Sequence, residues 1–146
     1  MSAPAAASPG RRFYVDTSAY LCILLAEEGW EPLSAELAGG EMLSSVLLVL
    51  EANRNVIRLA REATLSPDQF ASCSERIRKD REAFVLRDLT IDLCESMPMP
   101  PIATPRSLDL GHLRTAAWFH AEQPLTRFVT LDSGQRAAAR DLGLPV

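Results

Sequence analysis

The sequence predicts an α/β domain built on a parallel sheet with helices on both faces. Short apolar runs of strand length alternate with segments of helical periodicity along the chain, and two of these runs end in an acid at the point where a helix starts. Size agrees with this. The 146 residues amount to one domain, which at this length buries about 68% of its extended surface and needs no metal or disulfide to hold a core. Hydrophobic residues make up 47% and charged residues 23%, and the mean hydropathy is +0.01, a balance that excludes a disordered chain.

Residues 1–11 open with MSAPAAASPG and read as a flexible tail, without the basic and apolar regions of a signal peptide; residues 12–146 read as a single domain. Arg12-Phe-Tyr-Val-Asp16 is a short strand ending at an acid. Thr17 and Ser18 then open a helix through Cys22, Leu24 and Leu25 that ends at Gly29. A second short helix fits Glu31 to Leu37, closed by Gly39-Gly40, and Met42 to Ser45 fits a buried strand. Ser44 or Ser45 can cap a long helix running to about Ala63, whose Val46, Val49, Leu50, Asn53, Ile57 and Ala60 recur at helical spacing. Glu51 lies beside that stripe, with Arg54 and Arg58 on its own face.

Ser66 caps and Pro67 starts a charged helix running to about Phe84; Val85 to Leu93 suits a strand or a helix equally. The prolines from Met97 to Pro105 make a stiff connection inside the domain. Ser107 opens a helix with Leu110, Leu113, Ala117 and Trp118 toward a core. Arg127 to Leu131 is a strand ending at Asp132, the cap of a helix from Ser133 to Leu142, and Leu144-Pro-Val146 follows Gly143 as a last edge strand.

Charge narrows the choice of partners. The net charge is −4 and the pI about 5.2, so no global positive field draws the protein to nucleic acid. From Arg54 to Arg87, eight bases face five acids, a surplus of three that makes this stretch the candidate phosphate-facing surface. Cys22, Cys73 and Cys94 have no CxxC spacing, which suits a reducing compartment and a cytoplasmic location. Apolar runs such as Ser45 to Leu50 are far shorter than the roughly 20 residues of a membrane span.

Four acids stand out. Asp16 and Asp132 each follow an apolar strand, where ligands of open α/β sheets collect, and each also suits a plain helix cap. Glu51 lies within a long helix and reads as a boundary residue or a site acid. Asp109 in a first helical turn suits the helix dipole equally well. If the four converge, their mutual repulsion calls for a cation, and hard oxygen ligands select Mg²⁺ or Mn²⁺, one ion or two, with phosphodiester hydrolysis as the chemistry. Thr17, Ser18 and Thr130 flank the strand-end acids as second-layer hydroxyls or ordinary turn residues. His112 shares a helix face with Asp109 and can be a packing residue or part of the site. Arg54, Arg58 and Arg61 suit phosphate oxygens, an acidic partner or a solvated surface.

Taken together, these segments resemble the PIN-domain family of the VapC type, the toxin half of type II toxin–antitoxin pairs. Tyr14-Val-Asp-Thr-Ser-Ala19 is similar to its first motif, with Asp16 as the acid. Ser44 to Arg54 resembles the second, carrying Glu51; Ser107 to Ala116 the third, with Asp109 and an accompanying His112. Phe128-Val-Thr-Leu-Asp132 with Ala137 to Val146 resembles the last, carrying Asp132. The resemblance implies an α/β/α sandwich around about five parallel strands and a Mg²⁺- or Mn²⁺-dependent endoribonuclease. It also implies a homodimer neutralised by a small antitoxin laid over the active-site groove. Leu131 and Ser133-Gly134 depart from the family, which often has an aromatic residue and an arginine there, and the segment Asp88 to Pro105 is compressed. The alternative is a non-catalytic PIN-like module that binds RNA or protein. Leu21, Leu24 and Leu25 offer either a dimer surface or core.

Overall fold

The structure, a computed structural model, describes residues 10–95, 99–102 and 106–146. Most of the expected tail and part of the proline-rich connection lie outside these residues. Chain order is β1 (Arg12–Val15), α1 (Thr17–Leu24), α2 (Trp30–Leu37), β2 (Glu41–Ser45), α3 (Leu47–Arg61), α4 (Pro67–Asp80), a 3-10 turn (Arg81–Ala83), β3 (Phe84–Arg87), α5 (Ile91–Glu95), α6 (Ser107–Glu122), β4 (Arg127–Val129) and α7 (Ser133–Asp141). The strands form one parallel sheet in the order β3-β2-β1-β4.

Alternation along β1 divides the core. Phe13 and Val15 join Ala19, Tyr20, Leu48, Ala52, Val56 and Ile77 on one face, which is covered by α1, α3 and α4. Tyr14 points to the other, with Leu43, Leu113, Ala116, Phe119, Phe128 and Ala139, covered by α6 and α7. Helices thus pack on both faces, an arrangement compatible with a three-layer α/β/α sandwich. Leu21 and Leu24 are partly buried against the first core, and Leu25 is partly buried as well.

Several expectations need correction. The described residues form four strands. Leu144-Pro-Val146 meets β4 through Phe128 N–H to the Pro145 carbonyl at 2.6 Å, while Leu144 N–H turns back to the Ala139 carbonyl at 3.0 Å, because proline has no N–H for a ladder and Gly143 (φ +77°) has just turned the chain. The charged helix stops at Asp80 and not near Phe84, which starts β3 and sets its ring edge-on to Tyr20. Arg11, expected in the tail, is tied to the body by its guanidinium, which donates to the carbonyls of Glu36 and Ala38. The buried face of α3 is Leu47, Leu48, Ala52 and Val56, while Leu50 and Ile57 of the expected stripe are 65% and 58% exposed. No helix among the described residues is long and apolar enough to cross a membrane.

Close packing extends to the entry of β2. A Cβ on Gly40 would lie 2.5 Å from the Phe13 ring, which is itself almost wholly buried. Gly40→Ala is therefore expected to destabilise the fold by about 1–3 kcal/mol through overpacking. Urea unfolding measures it, and an unchanged midpoint would mean that the ring moves freely.

Candidate active site

Strand order fixes where a site can form. From β1 the chain steps outward through β2 to β3, then returns to place β4 on the opposite side of β1. The order therefore reverses between β1 and β4, and the crevice beyond their carboxyl ends is the ligand position of such sheets. Asp16 and Thr130 leave the two strands at that crevice.

Asp16 caps α1, accepting from Ala19 N–H at 3.1 Å and from Ser18 Oγ at 2.7 Å on Oδ1. Its Oδ2 accepts from Thr130 Oγ1. Thr130 Oγ1 in turn accepts from Asp132 N–H at 3.1 Å, and Ser18 Oγ accepts from Leu131 N–H at 2.9 Å, so two hydroxyls stitch the strand ends together. Asp132 caps α7 through Gln135 N–H at 2.9 Å. Both acids serve as caps, and both stand at the crevice.

Glu51 sits on the second turn of α3 and reaches inward. Its Oε1 accepts from Thr17 Oγ1 at 2.9 Å and from His112 Nε2 at 2.8 Å. His112 is 2% exposed, and its Nδ1 lies 2.7 Å from Tyr14 Oη. Burial pushes the Tyr14 hydroxyl well above its usual range, so it keeps its proton. The imidazole thus bridges Tyr14 and Glu51 through its two ring nitrogens. His112 is thus a satisfied core imidazole, as the packing reading has it, and it also orients the Glu51 carboxylate.

Asp109 lies in the first turn of α6. With Glu51 it lines a cleft of about 320 Å³, together with Arg54, Asn55, Arg106, Ser107 and Leu108. Its backbone carbonyl accepts from Gln135 Nε2 at 3.1 Å. Contacts therefore run from Asp109 through Gln135 to Asp132, through Thr130 to Asp16, and from neighbouring Thr17 to Glu51. Gln135 is 3% exposed and its Oε1 has no partner among the described residues. Swapping the amide atoms would set two oxygens face to face at Asp109, so the orientation is fixed.

The four acids fall into two pairs. Asp16 and Asp132 share Thr130, while Glu51 and Asp109 share the cleft. No group of three or more Asp, Glu, His or Cys side chains among the described residues could hold a metal ion. The expected single four-acid cluster is absent from them: Asp16 directs both oxygens to a cap and two hydroxyls, and Glu51 turns toward His112 and Thr17. Arg54 lines the cleft, whereas Arg58 pairs with Glu62 at 3.0 Å. Sequence reasoning missed Tyr14, Gln135 and Arg106.

The charges on Asp16 and Glu51 are tuned in opposite directions. Burial raises Asp16 above the ordinary 3.8, against the hydrogen bonds from Thr130, Ser18 and Ala19 and the charge of His112. For Glu51, burial also favours the neutral form, but the hydrogen bond and charge of His112, with Thr17 and Arg54, outweigh it and hold the acid below 4.5. Carboxyl-carbon NMR is expected to find Asp16 titrating above 3.8 and Glu51 below 4.5. The stability contributed by the Glu51 contacts is present above its unfolded pKa and lost as pH falls through the folded value. Asp16 acts in the opposite sense. Titrations shifted the other way would contradict these environments.

Compared with known proteins, the chain matches no family model and no curated protein.

Proposed function

We propose that the chain is a PIN-like, metal-dependent endoribonuclease, the VapC-type toxin of a type II toxin–antitoxin pair. The observation that carries this reading is the pair Asp16 and Asp132, far apart in sequence and joined through Thr130 at the switch point of a parallel sheet, with Glu51 tied to Thr17 beside Asp16 and sharing a cleft with Asp109. The reading extends to RNA as substrate, a small antitoxin as inhibitor, a homodimer as the working form and the cytoplasm as location.

The residues fit Mg²⁺ or Mn²⁺ as paired carboxylates. Mg²⁺ is commonly held by one or two carboxylates, with water and phosphate oxygens completing its shell, so two pairs suit such an ion without a three-acid cage. Asp16 with Asp132, or Glu51 with Asp109, would hold it. When bound, the ion supplies Lewis-acid polarisation of a phosphodiester and a water of lowered pKa. His112 and Thr17 keep Glu51 ionised and aimed. Thr130 and Ser18 fix the Asp16 carboxylate, and Arg54 offers its fork to a phosphate oxygen.

A pool of cellular RNA incubated with partner-free protein tests the reading. Cleavage with Mg²⁺ or Mn²⁺ that stops with EDTA supports it; no cleavage and no metal binding would remove it. The absence of a three-acid group among the described residues favours a second reading, a non-catalytic PIN-like module that binds RNA or protein. That reading predicts binding without metal-dependent cutting.

A further inference from the structure

We propose that the cleft between α3 and α6 is a phosphodiester clamp in which Arg54 and Arg106 grip a single-stranded RNA backbone from opposite walls. The inference rests on the nuclease reading and adds Arg106, the subsite and the mode of grip.

The cleft has walls of opposite origin. Arg54 and Asn55 come from the middle of α3, while Arg106, Ser107 and Leu108 come from the start of α6; Glu51 and Asp109 line the same space. At about 320 Å³ it lies at the low end of ligand-pocket volumes, roughly 300–1,000 Å³. That is room for one stretch of backbone. Five other arginines are held in ion pairs: Arg12 with Glu41, Arg58 with Glu62, Arg76 with Asp80, Arg78 with Glu75 and Arg127 with Glu36. Arg54 and Arg106 form no ion pair among the described residues, although two carboxylates line the cleft with them. Asn55 is turned away, its amide donating to the Glu51 carbonyl at 2.9 Å.

Planar guanidinium forks borne by the two walls of one cleft suit bidentate recognition of phosphate oxygens. The adjacent acids repel a bare anion, so the arginines must supply the grip on the backbone while the carboxylates remain available for a cation. This local basic pair works within a protein of net charge −4, where long-range attraction gives no help. The exposed Leu108 at the rim offers a base an apolar surface.

Fluorescence anisotropy of a labelled twelve-nucleotide single-stranded RNA, in EDTA to prevent cutting, tests the clamp with R54Q, R106Q and the double variant. Each single variant is expected to weaken binding about tenfold, the scale of a charge-assisted hydrogen bond, and to reduce the slope of log affinity against log salt by about 0.7. R54K and R106K should restore the slope while recovering only part of the affinity, because charge returns without the fork. Both residues are exposed, and matching melting curves confirm that the variants fold. Wild-type affinity and slope in the double variant would overturn the clamp, even if metal-dependent cleavage is intact. Arginine-dependent binding, with no cleavage and no metal binding once Mg²⁺ or Mn²⁺ is supplied, would keep the clamp and remove the nuclease reading. A DNA strand of the same sequence bound with equal arginine dependence supports recognition of the phosphodiester alone.

Discussion

Asp16→Asn is expected to lower metal-dependent RNA cleavage by about 10³-fold, the scale of losing a group that stabilises charge in a transition state, while leaving the fold in place. Asparagine is as good a helix cap as aspartate, and its carbonyl oxygen can keep the bond from Ala19 or the one from Thr130. What disappears is a buried negative charge at the switch point. Because burial raises the folded pKa of Asp16, its ionisation costs stability. Its contribution is fully present below 3.8, the unfolded value, and is lost as pH rises through the folded one. In the absence of metal the variant's stability relative to wild type should therefore improve from pH 3 to pH 7, a trend thermal melts can read. Added Mn²⁺ should raise the melting temperature of wild type more than that of the variant. Wild-type cleavage by Asp16→Asn would remove this acid from the site, and a variant that does not fold would assign it a structural role alone.

Phe128→Ala is expected to destabilise the protein by about 3–5 kcal/mol, the usual range for removing a buried aromatic ring. Phe128 is 1% exposed and lies parallel to Tyr14, with centroids 5.3 Å apart and planes 4° from one another. β4 has three residues, so few other contacts secure it to the sheet. Thr130 and Asp132 hang from its end, and cleavage per folded molecule should fall together with stability. Leu131→Ala is the control: its side chain is 49% exposed, and the change should stay within about 0.5 kcal/mol. Equal effects in the two variants, measured by urea unfolding, would contradict the view that the stacked rings anchor β4.

Strand and helix order was legible because the local signals are strong: apolar runs ending at Asp16 and Asp132, the Ser66-Pro67 start, and Gly143 after the last helix. The capping box of Ser66 and Gln69 stands as the residue types predict. The inward face of α3 was misread for a definite reason. Both Val46-Val49-Leu50-Ile57 and Leu47-Leu48-Ala52-Val56 are apolar at helical spacing, and only the path of the chain out of β2 decides between them. That same choice places Glu51 against His112 and Thr17 instead of beside an outward stripe. Gln135 gave no signal, since a glutamine in a polar helix is ordinarily solvated; its burial depends on α6 crossing α7. The connection between the two acid pairs is likewise a tertiary property, made by side chains that periodicity treats as neutral.

The bond between Thr130 and Asp16 joins residues 114 positions apart, and this has a bearing on biosynthesis. A chain emerging from the ribosome N-terminus first exposes Asp16 and Glu51 long before Thr130 and Asp132 exist. Until then β1, paired with β2, has one open edge and the crevice has one wall. Assembly of the centre is consequently postponed until Thr130 and Asp132 have been made, and a product truncated before them lacks it. For a protein read as an RNA-cutting toxin, that delay separates the act of being made from the capacity to damage the machinery that makes it.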